Sequence, residues 1–412
     1  MGDTIEAVAE PRASLRGTGF WLLWCNAVSI SMVGSADRFT FEWLSSKTLD
    51  APDWASGIVL FALGLPVFLF VLVAGAMADR HDRRRMLMST QLGGAVVLGL
   101  AAAAVWGGLM SVPLAVVVAA AFGTVVAFGQ PVRSALVPSI VPRPSLMHAI
   151  VVMTIGSNVA MIAGPLLAGG VIDHGGVGWA FAVQAAFFAA GVVLVRGLQV
   201  PPHEPRERVT DLRADVKEGL RFVWRDDRLR PLFFLLSVGG ALMMGGAMTL
   251  LPKIARDEFG RTAGEASRLF ALMGVGMILM SFVLMRYRHH ITRRGLVFML
   301  GMVFGTVNQV FQGIVPGFGW LQLLMFLWGV GGGLYMNLNQ TLIQELTPAG
   351  HMGRVMSLTA LAQAGLVPIG ALIGSVLAGA IGPRATTSVY GALGVLCVLG
   401  CLTLARGLRA QE

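Results

Sequence analysis

Few residues in this 412-residue chain could do chemistry where the chain is most apolar. Of its 22 acids, Asp37 alone falls well inside an apolar stretch, and Glu42 follows about one turn later. Arg38 is the matching base, and Arg38 and Glu42, four apart, share a helix face. A charge in a bilayer core is costly and marks function by default. An acid there can carry a proton. The competing reading ends the stretch near Ser35 and leaves the three charges at a solvated rim. The seven histidines fall in loops or near stretch ends. An intramembrane enzyme would need one at depth beside a nucleophile. Cys25, Cys397 and Cys401 form no Cys-x-x-Cys pair, so neither a metal site nor a disulfide frame is expected. Lys47, Lys217 and Lys253 are the lysines, and none follows glycine, which removes a phosphate-cradling Walker loop. No cofactor is expected, and an ion gradient remains as the energy source.

The elements that must position these residues are membrane spans. Hydrophobic residues make up 55% of the chain and charged ones 13%, where soluble domains carry about 25% charged. The mean hydropathy is +0.73. Apolar segments fall at 17–44, 54–78, 86–108, 112–132, 146–172, 178–198, 231–252, 264–286, 295–315, 320–344, 354–381 and 385–407. Each approaches or exceeds the roughly 20 residues a spanning helix needs. Helices are expected because backbone groups find no water in lipid. The apolar runs Ala115–Ala121 and Leu321–Trp328 are continuous, unlike the alternating strands of an outer-membrane barrel. Residues 1–16 are polar, and the stretch after them is too long for a cleaved signal. Between 199 and 230 Val209, Leu212, Val216, Leu220 and Val223 recur at helical spacing among arginines. That predicts an amphipathic surface helix between two six-span halves, 17–198 and 231–408, with 409–412 a short tail.

An even number of spans puts both termini on one side. Most of the 31 basic residues then fall on that side, with Arg38, Lys47, Lys253, Arg256, Arg261, Arg268 and Arg384 the exceptions. The positive-inside rule makes it the cytoplasmic side of a bacterial plasma membrane. The net charge of +9 is therefore an orientation signal, not a nucleic-acid footprint.

The halves echo one another. Arg80-His81 before the third span matches Arg288-His289 before the ninth, and Gln130–Pro142 matches Met336–Pro348, half a chain apart. Gly75, Asp79, Arg80, Arg83, Arg84 and Arg85 form a tight basic loop between the second and third spans. On physical grounds alone it could be only a topology signal. Its Gly-x-x-x-Asp-Arg-x-x-Arg-Arg pattern resembles the loop 2–3 signature of the major facilitator superfamily. Residues 131–142 and Gly353-Arg354-Val-Met-Ser357 resemble the branch to which enterobactin exporters and macrolide-type efflux proteins belong. The resemblance implies a two-bundle transporter fold of twelve helices. It also implies that Asp79, with Arg80 and Arg83, meets the start of span eleven as a cytoplasmic lock. Asp82 stands where the family often has glycine, and Tyr287 where the repeat would place an acid. Gly164-Pro165 resembles the family's antiporter bend, although small residues also serve ordinary helix packing. The family's mid-span arginine of span four is absent from Ala115–Ala127, and Arg133 is expected at that span's cytoplasmic end.

For the substrate, the inner spans carry Asn26, Asn158, Trp328, Tyr335, Asn337, Asn339 and Gln363. Singly these suit helix packing; together they predict an amphipathic, largely uncharged cavity, with some of the 22 methionines as an adaptable wall. The sequence thus points to a monomeric secondary transporter exporting a small amphipathic molecule, drug-like compound or secreted metabolite such as a siderophore, by proton antiport. A gradient-driven importer, an uncoupled facilitator and a non-transporting sensor are the alternatives.

Overall fold

A computed structural model of the chain describes residues 18–142, 145–198, 212–287, 291–348, 351–409 and 411. The side chains of Asp79, Arg80 and Gln363, the Arg288-His289 pair and Val209 lie outside the described residues. Among the described residues, 12 helices are long and apolar enough to cross a membrane. In order they are Thr18–Thr48, Asp53–Arg80, Arg83–Trp106, Val112–Ile140, Leu146–Gly175, Val177–Arg196, Leu229–Glu258, Ala263–Tyr287, Arg294–Gln312, Phe318–Leu346, Met352–Ile381 and Pro383–Leu404. We number these as spans one to twelve. A further helix, Leu212–Arg225, lies between spans six and seven.

Two spans run past their sequence-based ends for identifiable reasons. Span one continues through Asp37, Arg38 and Glu42 and closes in a π-helical turn at Leu44–Thr48. Asp37 and Glu42 are buried rather than solvated at a rim. Span four does not stop at Pro131 but carries Pro131, Arg133 and Pro138 within one helix to Ile140. Proline is tolerated in membrane helices because neighbouring groups take up the freed carbonyls. Asp82, the residue out of pattern, caps span three by accepting the backbone N–H of Arg85 at 3.0 Å.

The packing is repeated between the halves. Span one packs on five, two on four, three on six and three on four; seven packs on eleven, eight on ten, nine on twelve and nine on ten. Each pairing in the first half has its counterpart six spans later. Across the halves, two meets eleven and five meets eight, a pair of seams that exchange under the same twofold relation. The turns before spans six and twelve are single glycines with positive φ, Gly176 and Gly382, also half a chain apart.

The start of span one and the end of span twelve lie at one end of the bundle. There Arg83 of span three donates to Ala135 O (2.9 Å) and Ser139 Oγ (3.0 Å) near the end of span four. Arg84 donates to Arg196 O (2.6 Å) at the end of span six, and Arg228 to Gln411 (3.2 Å). The helix Leu212–Arg225 docks on the start of span eleven: Glu218 accepts from Arg354 at 2.9 Å, and Phe222 stacks on His351 at 4.4 Å. We call this the terminus end and the opposite one the far end.

Candidate functional site

A cavity of about 440 Å³ lies between the halves, within the size range of small-molecule sites. Its two walls differ. Spans one, three, four and five contribute Ser31, Arg38, Thr90, Gln91, Gln130, Arg133 and Ser157, the polar wall. Spans seven, eight, ten and eleven contribute Met244, Phe270, Met273, Met277, Met336 and Val367, all apolar. Of the exposed lining residues, Gln130 and Met336 lie toward the terminus end of spans four and ten, and Gly34 lies near the middle of span one.

The far end is sealed by contacts between the halves. Asp53 at the start of span two pairs with Lys253 near the end of span seven. Arg256 bonds Ser46 and lies 5.8 Å over the Trp43 ring. Phe39 meets Phe270 edge-on at 6.0 Å. Asp173, at the end of span five, receives the N–H of Ala263 and of Gly264, each at 2.9 Å, and the Thr262 hydroxyl at 2.7 Å. It therefore caps the positive N-terminus of span eight from across the seam. In the sequence Asp173 is one of several acids near the ends of apolar stretches. Its partner sits 90 residues away, and only helix order could have suggested the pairing.

The proton candidates separate around the helix. Arg38 lines the cavity. Asp37, one residue earlier, is turned about 100° away, onto the face carrying Val33 and Phe41. Asp37 is 5% exposed, and Phe41 packs on Phe122 and Phe181 at 6.4 and 5.2 Å. Glu42 is buried further toward the far end, its Oε2 without a hydrogen-bond partner among the described residues. Arg38 and Glu42 do not pair, despite their spacing; Arg256 and Ser46 lie nearer Glu42.

The cavity candidates fall mostly behind the walls. Asn26 is fully buried where spans one, three and six meet, and it and Gln91 both abut Gly191. Trp328 and Tyr335 line a small recess behind the methionines, which shares Met244, Met273, Met277 and Met336 with the cavity. Tyr335 stacks on Phe298 at 5.6 Å. Asn339 is buried with its Oδ1 unpartnered among the described residues. Asn158 is exposed and outside the lining, whereas its neighbour Ser157 lines the cavity and lies 3.5 Å from Ser31. The largest departure concerns charge. The expected uncharged cavity carries two guanidiniums, and Arg133 is 8% exposed inside it rather than free at a helix end. The signal was present in the sequence as Arg133, but two flanking prolines disguised it as a helix terminus.

The sequence profile described as Major Facilitator Superfamily matches residues 20–369. The chain belongs to the major facilitator superfamily. It is 25% identical over 409 residues to a protein named enterobactin exporter EntS from Shigella boydii serotype 4, covering 94% of this chain and 92% of that one. The same-named protein of Escherichia coli O1:K1 is 24% identical at the same coverage. Among solved structures, a mutant of the nucleoside transporter NupG superposes with a TM-score of 0.79 at 10% identity, covering 94% of this chain and 100% of that one. A mutant of the peptide transporter POT, solved with sulfate, superposes with a TM-score of 0.79 at 15% identity and 97% coverage of each chain. These likenesses establish the shared fold.

Within the superfamily's fold, Gly164 marks a close approach of spans one and five. A methyl at Gly164 would lie 2.1 Å from Ser35 Oγ and 2.2 Å from Met32 O, so only glycine lets spans one and five come this close there. Pro165, beside it, lines the cavity. In the loop 2–3 motif, Gly75 has open space around it, and Arg83 is anchored to span four.

Proposed function

We propose that the protein is a proton-coupled exporter of a small amphipathic organic molecule in a bacterial plasma membrane, with both termini cytoplasmic. One observation carries this reading. The central cavity is sealed at the far end and has its exposed side chains, Gln130 and Met336, toward the terminus end, with a buried acid, Asp37, one residue from a lining arginine. This is the cytoplasm-facing member of an alternating-access pair. The names of its relatives support outward movement, since enterobactin exporters match over 94% of the chain.

The two six-span halves rock about the cavity. In the outward phase the far-end contacts of Asp53, Lys253, Arg256 and Asp173 part, and Asp79 with Arg80 meets span eleven at the terminus end. Asp37 acts on the balance of these states rather than on the substrate. A carboxylate costs free energy where Asp37 is buried. Protonation removes that cost and favours the state described here. Loss of the proton favours the state in which water entering from the far end reaches Asp37. Protons taken up outside thus drive the empty return, their release to the cytoplasm as substrate binds permits the outward stroke, and the substrate leaves on that stroke. The chain works without cofactor and as a monomer.

Purified protein in liposomes holding a pH gradient and an interior pH dye tests this. Enterobactin, the compound in the relatives' name, is the first probe. Substrate-dependent collapse of the gradient, lost in Asp37→Asn, is the expected result. Substrate movement indifferent to the gradient would replace antiport by facilitation, and gradient-driven concentration into the compartment that the terminus end faces would make it an importer.

A further inference from the structure

The cavity carries a charge pattern that transport of an amphipathic molecule does not by itself require. We infer that it selects organic anions, with a carboxylate, sulfonate or phosphate head held by Arg38 and Arg133 and an apolar body against the methionine wall. The inference rests on the cavity being the substrate site and adds the charge of its occupant.

Three observations support it. No acid occurs among the lining residues, and among the described residues neither guanidinium has a hydrogen bond or ion pair. Arg133 is 8% exposed, and its guanidinium folds back beside Gly129 and Thr90, into the bundle rather than out to water. A buried cation lacking a partner is unfavourable, and arginine is the side chain least able to shed its charge. A bound anion supplies the missing partner, and the planar guanidinium matches two oxygens of one head group.

The walls complete the match. Thr90, Gln91 and Gln130 place neutral polar groups beside the cations. Met244, Met273, Met277 and Met336 face them, flexible and polarisable enough to take bodies of varied shape. The two cations also differ in depth. Arg133 lies about 10 Å in from the terminus-end limit of span four, and Arg38 about 15 Å from the far-end limit of span one. An anion entering from the terminus end meets Arg133 first and Arg38 deeper. Asp37 lies outside the lining, its carboxylate accepting the backbone N–H of Arg38 at 2.5 Å.

The test uses two fluorescent probes that differ in one group, dansyl sulfonate and neutral dansylamide. Binding to the full-length protein in neutral detergent is measured by calorimetry without any ion gradient. The sulfonate is expected to bind at least about tenfold tighter, as charged hydrogen bonds warrant. Arg38→Gln and Arg133→Gln should each reduce the preference, and the double variant should abolish it, so that the two probes bind alike. Arg38→Lys and Arg133→Lys, which keep the charge, should retain a preference and so separate charge from folding. Equal affinity for the two probes, or a preference surviving the double glutamine variant, overturns the inference. So does phosphatidylglycerol displacing the sulfonate at equal mole fraction, because the anion would then be a lipid head group. A protein that prefers the sulfonate but moves no substrate in liposomes leaves this inference standing and overturns the transport reading. Gradient-driven export with no anion preference does the reverse.

Discussion

Removing the Asp173 carboxylate should open the far end. Its two oxygens receive the N–H of Ala263, the N–H of Gly264 and the Thr262 hydroxyl, all on the first turn of span eight and all across the seam between halves. Loss of a helix cap costs roughly 0.5–2 kcal/mol, and loss of an anion from a helix N-terminus about 0.3–1 kcal/mol. Asp173 is exposed, so water replaces part of each contact. Asp173→Ala should therefore shift the balance from far-closed to far-open by about 1–2 kcal/mol, or roughly five- to thirtyfold in population. The assay is thiol accessibility. Ser267 is wholly buried at the seam, where it faces Gly169 of span five. With Cys25, Cys397 and Cys401 replaced by serine, Ser267→Cys reports far-end opening as its rate of modification by a membrane-impermeant maleimide. The rate should rise five- to thirtyfold in Asp173→Ala, in line with the population estimate, and by less in Asp173→Asn, which keeps one acceptor. An unchanged rate in a folded Asp173→Ala protein would mean that the cap does not hold the seam.

Gly164→Val should force spans one and five apart, because its side chain would meet Ser35 and the Met32 carbonyl. Overpacking of this kind costs about 1–3 kcal/mol, and a thermal melt of the detergent-solubilised variant should fall by several degrees. An unchanged melt would show that the helices separate freely there. The Asp53–Lys253 pair is mostly buried, at 19% and 17% exposed side chains. Reversing either charge alone should raise the Ser267→Cys labelling rate, and the exchanged pair Asp53→Lys with Lys253→Asp should lower it again. Additive effects in that cycle would remove the pair from the seal.

How much of this was legible in the sequence depends on the range of each signal. Span number and order follow from local hydropathy, which a bilayer makes nearly decisive, so even the surface helix at Leu212–Arg225 was visible as a periodicity among arginines. The loop 2–3 motif was legible because its residues are contiguous. The far-end seal was not, because each of its contacts joins residues far apart in the chain, such as Asp53 to Lys253 or Asp173 to Ala263. Nothing local marks a span-end acid as a cap for another helix. The cavity was legible only in outline. Residues chosen for polarity, Asn26, Trp328 and Asn339, turned inward to pack between helices, where a small buried polar side chain meets its neighbours more readily than a substrate. The lining charges came instead from Arg38, legible as one of a rare trio, and from Arg133, hidden between two prolines that end helices in water but not in lipid. That last substitution of rules decides the chemistry. Once span four is allowed to run through its prolines, an arginine expected at the span's cytoplasmic end becomes a cation inside the cavity. The same shift turns an expected uncharged site into one built to hold an anion.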